Sequence, residues 1–287
     1  MPGKGIILLF IILVAALCYF LIIMVRDSRR FVTVTYQIPS TKVHKKCRIV
    51  MLSDLHNKEY GVGNERLLKA IHTQNPDFIL IAGDMLTANE EKTSYEEPIQ
   101  LIRRLAEKYP IYYGMGNHEY RVKVYKDAYG DKYQQYTAEL EKCGVRLLEN
   151  ERIFLPEYNI EICGLEIERR YYKRLCRNEM DGAYIESLLG KSREDCMEIL
   201  IAHNPDYFKQ YAEWGADLTL SGHVHGGVVR LPFLGGVISP AMRLFPKYDG
   251  GIFHEYGKTM ILGRGLGMHT IPIRIWNPGE LVVVEIG

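Results

Sequence analysis

Two histidines, His223 and His225, lie in a glycine-rich segment at residues 222–227, directly after an apolar run at residues 216–220. In an extended chain, side chains two residues apart point to the same side, so both imidazoles could bind one metal ion. The flanking glycines allow close approach of the backbone to a ligand. Taken alone, the segment is also compatible with a polar turn in which both rings are solvated.

Four further apolar runs upstream end in residues of the metal-binding type. These residues are Asp54 and His56 after residues 48–53, Asp84 after residues 78–82, Asn117 and His118 after residues 110–115, and His203 after residues 197–202. Ligands of open α/β sheets gather just beyond the carboxyl ends of the strands. We therefore expect these side chains to meet in one pocket with His223 and His225.

This set of side chains suits borderline divalent ions. Imidazoles, two carboxylates and one amide oxygen are ligands that Mn, Zn or Fe accept. The set is too large for one ion with an open position, which favours two ions that share a bridging carboxylate. Such pairs serve in-line displacement at phosphorus, in which a bridging hydroxide attacks and the ions neutralise charge on the phosphoryl oxygens.

The elements that must position these residues alternate along the chain. After a β-branched strand at residues 31–38, the pattern predicts a strand at 48–53, a helix at 64–74, a strand at 78–82, a helix at 95–108 and a strand at 110–115. It then predicts helix at 121–142, short strands within 145–163, a strand at 197–202, a helix at 205–214 and tail strands at 251–254, 259–262 and 281–286. This alternation predicts an α/β fold.

The first residues predict a membrane anchor. Residues 5–25 contain no charge and are long enough to cross a bilayer. The apolar run continues past Ala15 and Ala16, which favours an uncleaved anchor over a cleaved signal peptide. We therefore divide the chain into an anchor at 1–25, a juxtamembrane linker with the first strand at 26–45, and a catalytic domain at 46–287. Basic residues after the run favour a cytoplasmic domain, although so short an N-terminal tail also permits the opposite insertion.

Composition narrows the function classes further. The chain has 287 residues, 47% of them hydrophobic, so it can bury a sizeable core. Its formal charge of +1 gives no global field that would attract nucleic acid, and we expect no nucleic-acid partner. The six cysteines are scattered without close pairs, so a disulfide framework and a thiolate zinc site are not expected.

At this point the ligand blocks resemble a known family. Residues 54–56, 83–84, 116–119, 203 and 222–225 are similar, in order, to the five blocks of calcineurin-like metallophosphoesterases. The resemblance implies a four-layer αββα sandwich and two metal ions. It places Asp54, His56, Asp84 and His225 on one ion, and Asp84, Asn117, His203 and His223 on the other. It makes His118 the catalytic histidine that stabilises or protonates the leaving group.

Two tail segments, residues 247–251 and 263–267, resemble the membrane-associated branch that includes UDP-diacylglucosamine pyrophosphohydrolase-like enzymes. This resemblance favours a phosphodiester or pyrophosphate substrate, lipid-linked substrates included, and makes Arg264 and His269 candidate substrate contacts. Phosphomonoester or phosphoprotein hydrolysis at the same site stays open. So does a non-catalytic metal-binding scaffold, against which the intact His118 argues.

Three other features leave alternatives open. Many phosphatases of this family have an aspartate where this chain has Thr87, and Glu119 is the nearby carboxylate that could orient His118 instead. Glu119 and Asp217 are either partners of metal ligands or simply polar residues at strand ends. The basic, tyrosine-containing segment at 166–177 could bind an anionic lipid or phosphate group, or could be a solvated helix face.

Overall fold

The computed structural model describes residues 2–90, 92–173, 178–231, 233–238, 244–268 and 273–287. Within them, two six-stranded sheets pack face to face, and helices cover both outer faces. The four-layer αββα sandwich implied by the resemblance is confirmed.

The first sheet contains the strands that precede three of the ligand blocks. Its order is β1 (Phe31–Ile38), β14 (Gly279–Ile286), β2 (Cys47–Leu52), β3 (Phe78–Ala82), β4 (Ile111–Gly114) and β5 (Arg146–Leu148). Only the β14–β2 pair is antiparallel. The central strands read as continuous apolar runs because both faces of the sheet are covered.

The second sheet supplies the remaining two blocks. Its order is β12 (Gly251–Glu255), β13 (Lys258–Leu262), β9 (Leu218–Ser221), β8 (Met197–Ala202), β7 (Ile160–Leu165) and β6 (Glu151–Leu155). The outermost pair on each side is antiparallel and the middle strands are parallel. Ile49 and Leu80 of the first sheet pack against Ile199 and Leu220 of the second in the core between the sheets.

The described residues form eight α-helices, and all of them except α1 bury apolar side chains in the core. They are α1 (Pro2–Ser28), α2 (Glu65–Gln74), α3 (Glu96–Ala106), α4 (Asn117–Val124), α5 (Lys126–Tyr129), α6 (Lys132–Lys142), α7 (Gly182–Leu189) and α8 (Phe208–Trp214). Helices α2, α3 and α6 cover the outer face of the first sheet, and α7 and α8 cover that of the second. Short 3-10 turns occupy Val62–Asn64, Arg169–Tyr172 and Pro205–Tyr207.

Some predicted elements were wrong in extent. The single helix predicted at 121–142 is three helices, α4 to α6, because the chain leaves helical geometry at Tyr125 and again at Gly130, whose φ of 57° favours glycine. Helix α4 also begins earlier, inside the ligand block at Asn117. The sequence analysis missed helix α7 and a two-stranded ribbon of β10 (Val229–Leu231) and β11 (Gly235–Ile238).

The N-terminal helix is long and apolar enough to cross a membrane over Lys4–Ser28. Most of its side chains are exposed, but Ile23 and Asp27 near its end are buried against the rest of the protein. Strand β1 follows at Phe31 and pairs in parallel with β14 at Gly279. The strand assigned to the linker is therefore the edge strand of the first sheet.

Candidate metal centre

The carboxyl ends of β2, β3, β4, β8 and β9 meet at one end of the sandwich. The loops after these strands hold the eight predicted residues: Asp54, His56, Asp84, Asn117, His118, His203, His223 and His225. Seven of the eight side chains, all but that of Asn117, have a potential ligand atom within 4.8 Å of those of at least two others, across up to 171 residues of chain. The convergence expected from the strand ends is present in the structure.

Among the described residues, four groups of three side chains could hold a metal ion, and one of these joins His118 to His56 and Asp84. Two of the others contain six of the predicted metal ligands. One contains Asp54, His56 and His225, and the other contains Asp84, His203 and His223; within each group the ligand atoms lie within 4.8 Å of one another. Asp84 stands between the groups, because its Oδ2 lies 3.0 Å from His203 Nε2 and 3.9 Å from His56 Nε2. A carboxylate in that position can bridge two ions.

Each carboxylate is aimed by a backbone N–H from a neighbouring ligand loop. Asp54 Oδ1 accepts from His223 N at 2.9 Å, and Asp84 Oδ1 accepts from His118 N, in the first turn of α4, at 2.8 Å. Among the described residues, the buried oxygens Asp54 Oδ2 and Asn117 Oδ1 have no hydrogen-bond partner. Buried polar atoms are normally satisfied, so these two oxygens fit coordination of a cation.

The electrostatics of the pocket also favour a cation. Burial raises the pKa of Asp54 to about 6. Burial acts the same way on Asp84, but the facing His203 and His118 rings outweigh it and hold the pKa of Asp84 well below its ordinary value. Burial opposes the charge of His203, yet Asp84 and Asp54 raise its pKa to about 10. A divalent ion bound between these groups would replace that imidazolium charge.

Backbone contacts fix the orientation of two rings. His203 Nδ1 donates to the carbonyl oxygen of Ala82 at 2.6 Å, which directs its Nε2 at Asp84, where a bound metal ion would take the place of the Nε2 proton. His118 Nδ1 accepts from the N–H of Ala88 at 2.8 Å, so the neutral ring has its proton on Nε2.

These contacts correct the expectation about Thr87 and Glu119. Thr87 Oγ1 lies 3.4 Å from His56 Nδ1. The Glu119 carboxylate is completely buried and accepts from the N–H groups of Asp84 and Met85, each at 2.8 Å. It also accepts from Gly116 N at 3.1 Å and the Tyr113 hydroxyl at 2.8 Å. Glu119 thus ties the loop after β3 to the loop after β4, and the orienting contact to His118 comes from the Ala88 backbone.

Backbone strain is concentrated at the site. Asp54, His56, Asp84, His223 and His225 all have φ between 49° and 76°. Residues other than glycine rarely adopt this left-handed region, which costs of order 1–3 kcal/mol each and persists where surrounding contacts enforce it. Glycine is required beside them: a Cβ on Gly116 would lie 2.2 Å from Asp84 Oδ1.

Sequence reasoning missed Asn277. Its side chain is fully buried, and Nδ2 donates to the carbonyl oxygens of His225 and Gly227, both at 2.7 Å. Its backbone N–H donates in turn to Asp27 Oδ2 at 3.0 Å. No motif marks this residue, which lies 52 positions after His225.

The basic segment at 166–177 also contributes a residue to the site. The ring of Tyr172 packs against His223 and His203, with centroids 5.4 Å and 6.4 Å away. Nearby Arg169 stacks on Tyr125 at 4.8 Å. Residues 174–177 of this segment lie outside the described residues.

The candidate substrate contacts have different outcomes. Arg264 lies near Gly226, beside the loop at residues 222–227, which we call the metal loop. Its guanidinium pairs with the buried Glu280 at 3.1 Å. That pairing satisfies its charge within the protein, and its contact with substrate stays a prediction. His269 lies outside the described residues.

Asp217 sits at the opposite end of β9 and pairs with Lys42 and Lys258, so it is a polar residue at a strand end.

A four-layer αββα sandwich with this site is the architecture of a metal-dependent phosphoric ester hydrolase. The family model of calcineurin-like phosphoesterases matches residues 47–227, and the chain belongs to that family.

Relatives of similar length share moderate identity with the chain. The metallophosphoesterase YkuE of Bacillus subtilis is 25% identical over 83% of this chain and 78% of its own. A metallophosphoesterase of Aquifex aeolicus is 28% identical over 88% and 90%. The phosphodiesterase YaeI of Escherichia coli is 25% identical over 77% and 75%. The crystal structure of TT1561 of Thermus thermophilus aligns with 76% of this chain and 89% of its own, at 12% identity and a TM-score of 0.45.

Proposed function

We propose that the protein is a membrane-anchored phosphodiesterase or pyrophosphatase that uses two divalent ions, Mn, Zn or Fe. The observation that supports it most directly is the pair of ligand groups on either side of Asp84. One ion would be held by Asp54, His56, Asp84 and His225, and the other by Asp84, Asn117, His203 and His223. When bound, the ions supply the nucleophile by lowering the pKa of bound water, and they offset charge on the phosphoryl oxygens.

In the proposal, His118 stabilises the leaving oxygen. The Ala88 N–H occupies its Nδ1, so the neutral ring presents Nε2–H. Its ring lies 4.7 Å from that of His56, at the edge of the first ligand group. From there Nε2–H donates a hydrogen bond to the leaving oxygen, and the carboxylate that the family often uses behind this ring is replaced by a backbone contact. Loss of one preorganised donor of this kind costs roughly 10²–10³-fold in rate.

Diester or pyrophosphate cleavage is favoured over monoester cleavage by similarity to a relative named as a phosphodiesterase. The resemblance to the membrane-associated branch points the same way. Helix α1 is the membrane anchor of the proposal. The exposed basic residues Arg26, in its last turn, and Arg29, just after it, favour a catalytic domain on the cytoplasmic face. A lipid-linked phosphoester is then within the reach of the site.

The test compares a chromogenic phosphodiester, bis-p-nitrophenyl phosphate, with p-nitrophenyl phosphate, with and without added Mn. We expect Mn-dependent hydrolysis with the diester preferred. His118→Ala removes one hydrogen bond to the leaving oxygen and should lose roughly 10²–10³-fold in kcat while it keeps its metal. Asp84→Ala should lose activity together with at least one of the two ions, measured by elemental analysis. His254→Ala changes an exposed histidine that contacts Thr259, and should match the wild type.

Each alternative has its own signature. Faster turnover of the monoester would replace the proposal with a phosphomonoesterase. If wild-type protein contains two ions and hydrolyses neither ester nor pyrophosphate, the protein is a non-catalytic metal-binding scaffold. Loss of metal in His118→Ala would make His118 a metal ligand rather than a hydrogen-bond donor to the leaving oxygen.

A further inference from the structure

The metal centre lies at the end of the sandwich where helix α1 joins it. Strand β1 begins at Phe31, opposite Gly279 of β14, and the next residue, Glu280, donates its N–H to Gly265 O at 3.1 Å. Leu266 N in turn donates to Ser53 O, next to the ligand Asp54. The start of β1 and the ends of the ligand-bearing strands therefore share one end of the molecule.

The connection between the helix and the metal loop is short. Asp27, 2% exposed, accepts the N–H of Asn277, and the Asn277 side chain donates to the carbonyl oxygen of the ligand His225. One residue thus separates the end of the helix from the metal centre. If α1 crosses a bilayer, the centre lies at the membrane-proximal end of the protein.

The domain also reaches along the helix. The ring of Trp276 packs against Phe20 and Tyr19, with centroids 5.6 Å and 6.4 Å away. Tyr19 precedes Asp27 by eight residues, or about 12 Å along a helix axis. A 25-residue helix measures about 37 Å against a hydrocarbon core of about 30 Å, so about 7 Å of it, or just over one turn, extends beyond the core. Trp276 contacts the helix just inside that excess, close to the boundary between hydrocarbon and headgroups, where tryptophan is enriched.

A ribbon with exposed apolar side chains begins beside Trp276. Strand β10 is hydrogen-bonded to Ile275, the residue before Trp276. Arg230 N donates to Ile275 O at 3.1 Å, and Val229 forms a bridge with Ile275. After β10 come Phe233 and Leu234, which are 108% and 65% exposed.

Two more apolar side chains lie against the second strand of the ribbon. Leu244 forms a bridge with Ile238, and Phe245 N donates to Val237 O at 2.9 Å. Their exposures are 68% and 62%. We call Phe233, Leu234, Leu244 and Phe245 the ribbon surface.

So many exposed large apolar side chains within 13 residues mark a contact surface. A bilayer is the occupant that the surroundings favour. The ribbon starts one residue from Trp276, which packs on the apolar helix, and the exposed Arg26 and Arg29 that end the helix suit anionic headgroups.

We propose that the ribbon surface is a second membrane contact, inserted into the lipid headgroup region beside helix α1. This proposal rests on the membrane anchor of the proposed function. Together the two contacts hold the metal centre against the bilayer surface, so that phosphodiester or pyrophosphate groups borne by lipids reach it without leaving the membrane. Surfaces of this kind lie about 5–10 Å into the headgroup and acyl boundary.

Tryptophan fluorescence in the full chain tests the contact. The chain has two tryptophans, and Trp214→Phe with Trp276→Phe gives a dark background. Single tryptophans are then introduced as Phe233→Trp or Phe245→Trp. Tyr256→Trp is the control, because Tyr256 is 54% exposed in the turn between β12 and β13, at the opposite end of the sheet from the metal centre. Phe10→Trp reports on the helix. Each variant must hydrolyse bis-p-nitrophenyl phosphate at the background rate.

The proteins are reconstituted in phosphatidylcholine–phosphatidylglycerol vesicles with bromine either high or low on the acyl chains. We expect Phe233→Trp and Phe245→Trp to be quenched at least about twofold more than Tyr256→Trp, most strongly by the high bromines. Quenching of Phe10→Trp with no excess for the two ribbon probes would overturn this inference and leave the anchor standing. No quenching of Phe10→Trp would remove the anchor, and the ribbon contact with it. Activity, measured separately, decides the catalytic proposal.

Discussion

The contacts of Glu119 predict that one carboxylate supports the loop that holds Asp84. Its Oε2 accepts from Asp84 N and Gly116 N, and its Oε1 accepts from Met85 N and the Tyr113 hydroxyl. Glu119→Gln keeps the volume but puts an amide donor where an acceptor stood. The best orientation places that amide at Oε1, because the Tyr113 hydroxyl can rotate to accept from it.

The magnitude follows from the donor that remains. In that orientation the buried Met85 N–H loses its acceptor, which costs about 1–3 kcal/mol. Glu119→Ala leaves the buried donors of both loops without acceptors and opens a cavity, and should cost more than about 3 kcal/mol. Because Asp84 is held at a φ of 55°, loosening its loop should also weaken metal binding.

Denaturant unfolding of the metal-free protein and Mn titration measure the two effects. Glu141→Gln is the matched control, since Glu141 is exposed on α6 and its replacement should change stability by less than about 0.5 kcal/mol. If Glu119→Gln unfolds with the control and binds Mn like the wild type, the carboxylate does not hold the loop and the reasoning is refuted.

Two further predictions concern the ends of the second sheet. Asn277→Ala removes both side-chain hydrogen bonds to the loop of His225 and should weaken Mn binding about 10–100-fold, whereas an unchanged affinity in a Mn titration would contradict its positioning role. Burial opposes ionisation of Asp217, but Lys258 and Lys42 lower the pKa of its carboxyl. The ionised carboxylate therefore stabilises the folded protein above the unfolded-state pKa, and this contribution is lost as pH falls through the folded-state pKa. Asp217→Asn should therefore cost about 1 kcal/mol at neutral pH, and its denaturation midpoint should converge with that of the wild type in acid; a gap that persists in acid would show that the contribution is not ionic.

The sequence located the ligands because they follow strands, and the ends of neighbouring strands meet. Asp54, Asp84 and His203 each follow a buried apolar run, and such runs can be recognised in a single amino-acid sequence. The supporting contacts left no such trace. The N–H of Ala88 belongs to the backbone and is independent of side-chain type, and Asn277 is an ordinary polar residue far from the blocks.

Strain and loop geometry were likewise invisible to pattern reasoning. The left-handed conformations of Asp84 and His225 depend on tertiary contacts that overrule local preference. The helix predicted at 121–142 is interrupted at Gly130. The apolar periodicity of the sequence continues through this residue, but the backbone leaves helical geometry there. The ribbon of β10 and β11 is only three and four residues per strand, too short for a periodic signal.

The central claim is that the two ligand groups hold two ions with Asp84 between them. Anomalous diffraction at the Mn edge, from crystals of the full chain grown with Mn, tests it most directly. We expect two peaks, one between Asp54, His56 and His225 and one between Asn117, His203 and His223, with an Asp84 oxygen bound to each. A single peak, or two peaks of which Asp84 contacts only one, would contradict it.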